Sequence, residues 1–393
     1  MLKEDCYYND YDRKENMGFS SKCVHGALGC DPMTGSLSFP IVQSATFKHR
    51  DFETSTGYMY SRLQSPTRQE LERTMAILEN GYEAFAYSSG QAANMSVFGM
   101  LKSGDHVILT DDIYGGTYRI GEDIFTPLGI EYEYVDLSDI SELEKAMRPN
   151  TRMVFVETPT NPMMKVTDIR EAARISHEHG AVFVVDNTFL TPYFQKPLDL
   201  GADIVVHSAT KYICGHNDVL AGVVVIKDAT YSDHFHLQHK SRGNCLSPFD
   251  CWLLIRGLKT LPLRMEKHDA NARVVAEWLR KHPKVTKVYY AGFEDHINYA
   301  ISKSQSTGFG GMISFELDSM ETVRNLFNNV KMILFAESLG GTETLVTYPL
   351  TQTHESIPDD IRQKLGINER FIRISVGIEN VEDIIADLKQ ALG

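Results

Sequence analysis

Short runs of apolar residues, many of them β-branched, recur along the first part of the chain. They predict strands at residues 84–87, 106–110, 131–135, 153–157, 182–186, 203–207 and 222–226. Segments with helical periodicity lie between several of these runs, for example residues 168–179, which end before Gly180. Runs without polar alternation suit strands that are buried on both faces of a parallel sheet. The pattern therefore predicts an α/β fold in which helices cover a mostly parallel sheet.

The C-terminal part mixes both patterns without regular alternation, which predicts a smaller α+β domain. Helices are expected at residues 249–262, 265–282 and 381–392, and strands at residues 285–290, 311–317, 330–335 and 371–376. A chain of 393 residues exceeds the usual size of a single core. We therefore expect an N-terminal arm (residues 1–60), a large domain (61–255) and a small C-terminal domain (256–393).

The predicted arm has weak periodicity and is expected to be extended rather than a folded domain. A long arm of this kind is expected to pack on a neighbouring subunit. Beyond it, Thr67 is predicted to cap a helix whose apolar residues Leu71, Met75 and Leu78 share one face.

Charge and composition narrow the classes of function. A net charge of −13 argues against a nucleic-acid partner or an anionic membrane surface, because both require a basic face. No apolar run approaches the roughly 20 residues of a membrane span, and the polar N-terminal segment does not resemble a secretory signal. The six cysteines form no C-x-x-C pair. We expect a cytoplasmic protein with free thiols.

Polar residues follow several predicted strands, at the sheet edge where open α/β folds bind ligands. Ser88, Ser89, Gly90 and Gln91 stand between a strand and a helix, an arrangement that can bind an anion through backbone amides. A serine helix cap is the simpler explanation for this segment. No glycine fingerprint of a dinucleotide or triphosphate site lies near it.

Three further strand ends carry candidate chemistry. Asp186 ends an apolar strand and could meet a protonated ring nitrogen, although it could equally cap the next turn. Tyr114 precedes two glycines and could stack on a planar ligand, and Asn161 stands between two prolines. Lys211 follows the strand at 203–207; shielded from water, it could act as a nucleophile, whereas a surface lysine is the simpler alternative.

Taken together, an anion site, a carboxylate, an aromatic ring and a lysine are the partners that a single ligand would need. Pyridoxal phosphate (PLP) has a phosphate, a ring nitrogen, a planar face and an aldehyde, and each group has a candidate partner at these strand ends. The joint occurrence favours a PLP enzyme over the separate structural explanations.

The motifs at these positions resemble those of the Cys/Met-metabolism family of PLP-dependent enzymes. The matching segments, in order along nearly the whole chain, are Tyr60-Ser61-Arg62, Ser89-Gly90, Glu157-Thr158-Pro159-Thr160-Asn161-Pro162, Asp186-Asn187-Thr188, Ser208-Ala209-Thr210-Lys211 and Arg373-Ile374-Ser375-Val376-Gly377. The resemblance implies a fold-type I PLP-dependent transferase-like α/β fold. It also implies a homotetramer whose active sites are shared between adjacent subunits.

The resemblance assigns a role to each candidate. Lys211 would form the Schiff base and later shuttle a proton, Asp186 would pair with the pyridinium, and Tyr114 would stack on the ring and handle a substrate proton. The phosphate ligands would be Ser89, Gly90, Gln91, Ser208 and Thr210, joined by Tyr60 and Arg62 from the adjacent subunit. Asn161 would lie at the 3-hydroxyl side of the ring.

The substrate implied by the resemblance is a sulfur amino acid. Arg373 would bind its α-carboxylate, assisted by Ser338 and Asn161. Glu337 would meet the distal amino group of a cystathionine-sized substrate, and Thr353 fits the same pocket. The expected reaction is elimination across the thioether of cystathionine, of the cystathionine γ-lyase type, with β-lyase activity also open.

Several alternatives remain at this level. A γ-synthase, which replaces the acyl group of an activated homoserine with cysteine, shares the early chemistry. Gly116 stands where dedicated methionine γ-lyases have a cysteine, which disfavours that member. A nicotinamide dehydrogenase would need the missing glycine fingerprint, and a non-catalytic scaffold would have no use for the lysine.

His234, His236 and His239 have a spacing that could bind a transition metal, but no carboxylate or cysteine is ideally placed beside them, so we expect no metal.

Overall fold

The structure is a computed structural model that describes residues 16–393 except 29, 32 and 356. The helices are α1 (Phe19–His25), α2 (Pro66–Glu79), α3 (Gly90–Phe98), α4 (Gly115–Arg119), α5 (Ile140–Ala146), α6 (Ile169–Glu178), α7 (Thr191–Phe194), α8 (Ser232–Arg242), α9 (Pro248–Leu258), α10 (Leu261–Lys281), α11 (Tyr299–Gln305), α12 (Met320–Asn329), α13 (Asp359–Leu365) and α14 (Val381–Leu392). The strands are β1 (Glu83–Tyr87), β2 (His106–Thr110), β3 (Glu131–Val135), β4 (Thr151–Glu157), β5 (Val182–Asp186), β6 (Ile204–His207), β7 (Gly222–Ile226), β8 (Val285–Tyr289), β9 (Met312–Leu317), β10 (Leu334–Phe335), β11 (Leu345–Thr347) and β12 (Phe371–Ser375).

The chain divides into two compact units. Unit 1 comprises Met1–Met100 and Asp203–Pro262, and unit 2 comprises Leu101–Ala202 and Leu263–Gly393. The three-part division predicted at residues 60 and 255 stays a prediction. Within the described residues, none of the helices has the length and apolar character needed to cross a bilayer.

In unit 1, β7 lies between β1 and β6 and runs antiparallel to both. The strands β6 and β7 are joined by turns at residues 208–221 rather than by a helix. A connection without a crossover helix returns the chain antiparallel, because parallel neighbours need a longer crossover. Gly222, which follows this connection and begins β7, pairs with Tyr87 at the end of β1.

In unit 2, the order β5–β4–β2–β3 gives the predicted parallel sheet, with all three pairs parallel. The α/β fold class is confirmed, and the bounds predicted for β2, β3, β5, β7 and α14 match those observed. In β4 and β5, Glu157 and Asp186 are register partners at the carboxyl ends. The sheet thus brings two acidic residues side by side.

A second sheet of unit 2 has the order β10–β11–β12–β9–β8. Its core is built from apolar side chains of β9 and β12 and of helices α10, α12 and α14; its members include Ile313, Phe315, Ile372, Ile374, Val275, Leu279, Val323, Leu326, Ile384 and Leu388. This sheet carries Arg373 in the middle of β12.

Several predicted bounds differ from those observed, for example the helices expected at 249–262 and 265–282, which are Pro248–Leu258 and Leu261–Lys281. Two differences have a clear physical reason. The strand predicted at 330–335 is reduced to Leu334–Phe335, because the Asp387 carboxylate accepts the backbone N–H groups of Lys331, Met332 and Ile333 at 2.8–3.1 Å. The predicted cap Thr67 lies inside α2, whose N-cap is Ser65 with Pro66 at the first helical turn.

The small sheet depends on its aromatic core. Phe315 is fully buried, so Phe315→Ala is expected to lower the free energy of unfolding by about 3–5 kcal/mol. Phe335, on the same sheet, is 51% exposed, and Phe335→Ala should cost about 1 kcal/mol or less. Urea denaturation of both full-length variants checks the difference. Equal losses would contradict the burial of Phe315.

Candidate active site

The anion-binding segment predicted from the sequence forms the start of helix α3. Ser89 is the N-cap, and its side chain accepts a hydrogen bond from Ala92 N at 3.1 Å. The simpler prediction, a serine cap, is therefore confirmed. The cap is compatible with the predicted anion site, because the amides of Gly90 and Gln91 are at the first helical positions and lack a partner within the helix. Such amides and the helix dipole favour a phosphate.

Glycines bring three backbone segments of unit 1 into contact at this helix start. A Cβ on Gly90 would lie 2.9 Å from the Ser208 Cβ, and a Cβ on Gly222 would lie 2.2 Å from the Ser89 carbonyl oxygen. The strands β6 and β7 can therefore approach the α3 turn closely only while both positions are glycine. Sequence reasoning missed Gly222, whose only signal was a glycine opening an apolar strand.

Lys211 lies directly beyond β6 in a tight turn. Its backbone N–H donates to the Ser208 carbonyl at 3.1 Å, and its carbonyl accepts from Gly215 at 2.8 Å. The residue is of intermediate exposure, unlike a typical surface lysine. The Thr210 hydroxyl bonds the backbone of Ala221, donating at 3.2 Å and accepting at 3.0 Å. This bond fixes the turn that carries Lys211.

Tyr60 and Arg62 lie on the surface of unit 1. The Tyr60 side chain is exposed, and the Arg62 guanidinium lies 5.4 Å from the centre of the Tyr60 ring. Arg62 also donates to the carbonyl of Lys240. Their predicted contact with the phosphate of an adjacent subunit stays a prediction.

In unit 2, Asp186 caps the turn that follows its strand. Its Oδ1 accepts from the backbone N–H of Thr188 at 3.0 Å and from its hydroxyl at 2.5 Å. This was the structural alternative in the sequence, and both bonds also stabilise the ionised carboxylate that a ring nitrogen would need.

Tyr114 is positioned by a neighbour of Asp186. It is the N-cap residue of α4, its ring is 38% exposed, and its backbone N–H donates to Glu157 Oε2 at 3.2 Å. An exposed ring on a fixed backbone can stack on a planar ligand. Gly115 and Gly116, which follow, are buried.

Arg373, Asn161 and Ser338 form one hydrogen-bonded group in unit 2. Arg373 is 1% exposed; its Nη1 donates to Asn161 Oδ1 at 2.8 Å, and its Nη2 donates to the Ser338 carbonyl at 2.9 Å and to Thr347 Oγ1 at 3.2 Å. Ser338 has a φ of +88°, a strained conformation for a residue with a side chain. The guanidinium is thus held in one orientation before any carboxylate binds.

A buried histidine supports this group. His354 Nε2 lies 3.1 Å from the Asn161 carbonyl, and its Nδ1 lies 2.8 Å from Thr353 Oγ1. Burial, followed by the charge of Arg373, lowers the pKa of His354 to about 3. The ring is therefore neutral at physiological pH, with Nε2 donating and Nδ1 accepting. Glu337 is exposed.

The three histidines of α8 are engaged with protein groups. His236 pairs with Glu83 at 3.0 Å, and His234 lies 2.8 Å from the Ser96 carbonyl. His239 is buried with its ring edge-on to Tyr87. Among the residues that the structure describes, no group of three or more metal-ligating side chains is arranged to hold an ion.

Comparison with known proteins shows the class to which this fold and these residues belong. Residues 20–393 match the family described as Cys/Met metabolism PLP-dependent enzyme. The chain belongs to this family, and its cofactor is PLP.

Individual relatives agree along nearly the whole chain. The chain is 49% identical over 369 residues to a cystathionine gamma-lyase of Bacillus subtilis, covering 94% of this chain and 97% of the relative. It is 46% identical over 372 residues to a cystathionine beta-lyase of Lactococcus lactis, covering 95% and 98%. The crystal structure of cystathionine gamma-lyase from Lactobacillus plantarum is similar with a TM-score of 0.93 and 41% identity, covering 95% and 98%.

The chemistry of the residues fits PLP. In unit 1, the contact between Gly90 and Ser208 leaves no room for a Cβ, so the Ser208 hydroxyl group lies beside the first amides of α3. Hydroxyl and amide donors at the start of a helix suit a phosphate. In unit 2, the hydrogen-bonded carboxylate of Asp186 and the exposed ring of Tyr114 suit a protonated, planar heterocycle.

The neutral state of His354 has a consequence for acid stability. Protonation favours the unfolded chain, because the histidine pKa falls from 6.5 when exposed to about 3 when folded. The stability contribution is complete above pH 6.5 and is lost as the pH falls. Between pH 7.5 and 5.5 the wild type should lose about 1.4 kcal/mol more than His354→Gln. Urea denaturation at both pH values measures this difference.

The exposed His177 supplies a control for this comparison. His177→Gln makes the same substitution at an exposed position and measures the general effect of replacing a histidine by glutamine over this pH range. If His354→Gln behaves like the wild type, His354 is protonated in the folded protein and the neutral assignment is wrong.

Proposed function

We propose that this chain is a carbon–sulfur lyase that eliminates across the thioether of cystathionine or a related sulfur amino acid. The observation that carries the proposal is the buried Arg373, held by Asn161 and Ser338 in an orientation suited to an α-carboxylate. Relatives named cystathionine gamma-lyase and cystathionine beta-lyase, at 44–49% identity, support the choice of substrate.

Lys211 is the proposed catalytic base and cofactor anchor. PLP, when bound, withdraws electrons from the substrate and thereby acidifies the hydrogen on its α-carbon. Lys211 Nζ would take this proton and, in a γ-elimination, also move the β-proton. The turn bonds to Ser208 and Gly215 hold the lysine backbone, so that only the flexible side chain needs to move.

The remaining assignments follow the resemblance of the motifs. Asp186 is proposed to pair with the pyridine nitrogen, and Tyr114 is proposed to stack on the ring and handle a substrate proton. The proposed phosphate ligands are Ser89, Gly90, Gln91, Ser208 and Thr210. Asn161 is proposed to lie at the 3-hydroxyl side of the ring.

Substrate selection is assigned to the exposed side of the Arg373 group. Glu337 is exposed and acidic, which suits the distal amino group of cystathionine. Ser338 and Thr353 are proposed to contact the substrate beside Arg373. The Thr353 hydroxyl already lies 2.8 Å from His354 Nδ1, which fixes its direction.

A γ-synthase is the second candidate. A cystathionine gamma-synthase/O-acetylhomoserine (thiol)-lyase of Bacillus subtilis is 48% identical over 362 residues. Recognition of the α-carboxylate by Arg373 serves both reactions, because both begin with an amino acid. Methionine γ-lyase is less favoured, since Gly116 stands where such enzymes have a cysteine.

Assembly and location complete the proposal. We infer a homotetramer in which Tyr60 and Arg62 reach the phosphate of an adjacent subunit, consistent with their place on the surface of unit 1. A cytoplasmic location is proposed because Cys30, Cys214, Cys245 and Cys251, among the described residues, take part in no disulfide.

Product analysis tests the reaction and the role of Lys211. The wild type is expected to release 2-oxobutyrate or pyruvate, with ammonia, from cystathionine. Lys211→Ala should reduce kcat by at least 10²–10⁴-fold, roughly the worth of acid–base catalysis, and should lose the visible absorbance of lysine-bound PLP. Cystathionine formation from acyl-homoserine and cysteine, with no cleavage, would favour the synthase instead. Full turnover by Lys211→Ala would refute the assignment.

Subunit mixing tests the shared site. Arg62→Ala and Lys211→Ala are each expected to be inactive, but co-refolded mixtures should recover about a quarter of wild-type activity if each site combines residues of two subunits. Size-exclusion chromatography with light scattering reports the tetramer. If Arg62 serves its own subunit, no mixture regains activity, because every site then retains one substitution.

A further inference from the structure

Glu157 lies at the meeting point of three backbone segments in unit 2. It ends β4, where it is the register partner of Asp186 on β5. Its Oε2 accepts from the Tyr114 backbone N–H at 3.2 Å, and the backbone of Asn161 also interacts with its carboxyl group. These three neighbours are the residues proposed above to bind the ring of PLP.

The surroundings of Glu157 disfavour its charged form. The residue is 6% exposed, and the acidic groups facing it are Asp186 from β5 and Asp112 from the segment after β2. Burial and then the charge of Asp186 raise the pKa of Glu157 well above its usual value. Beyond Asp112 lie Asp111 and Lys165, which are paired at 2.9 Å.

The hydrogen-bond donors around the two carboxyl groups differ. Asp186 accepts two hydrogen bonds from Thr188, whereas Glu157 accepts from backbone amides in a drier position. A charge on the buried Glu157 beside the Asp186 carboxyl group would carry a large cost. The surroundings of Glu157 therefore favour its neutral form, whereas the two donors of Thr188 favour the charged form of Asp186.

We propose that Glu157 is a positioning residue for the cofactor ring: its carboxyl group fastens the Tyr114 turn to the strand end beside Asp186. The inference rests on the proposed function, because it assumes that Asp186 and Tyr114 bind the ring. Glu157 makes no contact with substrate in this role and acts through its neighbours. It sets the spacing between the ring-stacking residue and the ring-nitrogen partner.

A buried carboxyl group elsewhere in unit 2 supplies the matched control. Asp387 accepts the backbone N–H groups of Lys331, Met332 and Ile333, so its removal also leaves backbone donors unpaired. It joins α14 to the segment before β10 and has no proposed role in binding PLP. Loss of stability alone should therefore appear in Asp387→Ala.

The test compares holoenzymes of Glu157→Ala, Glu157→Gln and Asp387→Ala. Glu157→Ala should release PLP about tenfold to a hundredfold more readily on dilution, because a buried N–H loses its acceptor. The visible circular dichroism per bound PLP should also change, since this signal reports the ring environment. Glu157→Gln keeps a neutral side chain with an accepting oxygen, and should resemble the wild type in both measurements.

Asp387→Ala should lower Tm while leaving the dichroism per bound PLP unchanged. If Glu157→Ala behaves in the same way, Glu157 is only structural and the proposal is wrong. A defect in Glu157→Gln as large as that in Glu157→Ala would also overturn it, because it would show that a charge on Glu157 is needed.

Two further results keep the test decisive. If Glu157→Ala yields no folded holoenzyme, Glu157→Asp replaces it, because the carboxyl group shortened by one methylene should still disturb the Tyr114 turn and the dichroism. An unchanged dichroism in Glu157→Asp would then overturn the proposal. If the wild type itself bound no PLP, the proposed function would fail, which is distinct from a failure of the Glu157 variants alone.

Discussion

The cost of burying carboxyl groups at the end of a parallel sheet is the constraint on which unit 2 depends. Asp112 follows β2 and Glu157 ends β4, and both are buried; Asp186, which ends β5 beside Glu157, is of intermediate exposure. Burial raises the pKa of Asp112 to about 6 and that of Glu157 well above its usual value. Such a cluster is stable only when hydrogen bonds divide the protons among its members. Asp186, with two donors from Thr188, is the member arranged to keep a charge.

In unit 1, the proposed phosphate site raises the opposite problem, because an anion would have to be bound there without a buried cation from the same unit. Its candidate phosphate ligands are backbone amides and hydroxyl groups at the start of α3 and at the end of β6. The donors are brought together by close packing of the backbone rather than by attraction to a positive charge. Ser208 lies where a side chain at position 90 would be, and the Ser89 carbonyl lies where a side chain at position 222 would be. Neutral donors of this kind bind a phosphate without the desolvation cost of a buried lysine or arginine.

The sequence predicted those parts of the molecule that local patterns determine. The apolar runs at 106–110 and 182–186 became strands with the same bounds, because nothing in the tertiary structure competes with their propensity. Residues 331–333 failed to form a strand because the carboxylate of Asp387, more than fifty positions away, accepts their backbone N–H groups. The contacts of Glu157 could not be predicted from the sequence either. Its pairing with Asp186 depends on strand register, which is a tertiary property, and its bond to Tyr114 involves the backbone N–H, which every residue except proline has.

The contrast between buried and exposed residues bears on whether this chain is a lyase or a synthase. Arg373, Asn161 and His354 are buried and linked by hydrogen bonds, and the role proposed for Arg373 is to bind the α-carboxylate, which every amino acid has. A difference in reaction must therefore arise from groups that are still exposed, such as Glu337 and the ring of Tyr114. Buried networks tolerate few substitutions without unpaired polar groups, whereas exposed side chains change at little cost in stability. The proposed function therefore assigns reaction specificity to exposed residues that contribute little to the stability of the fold.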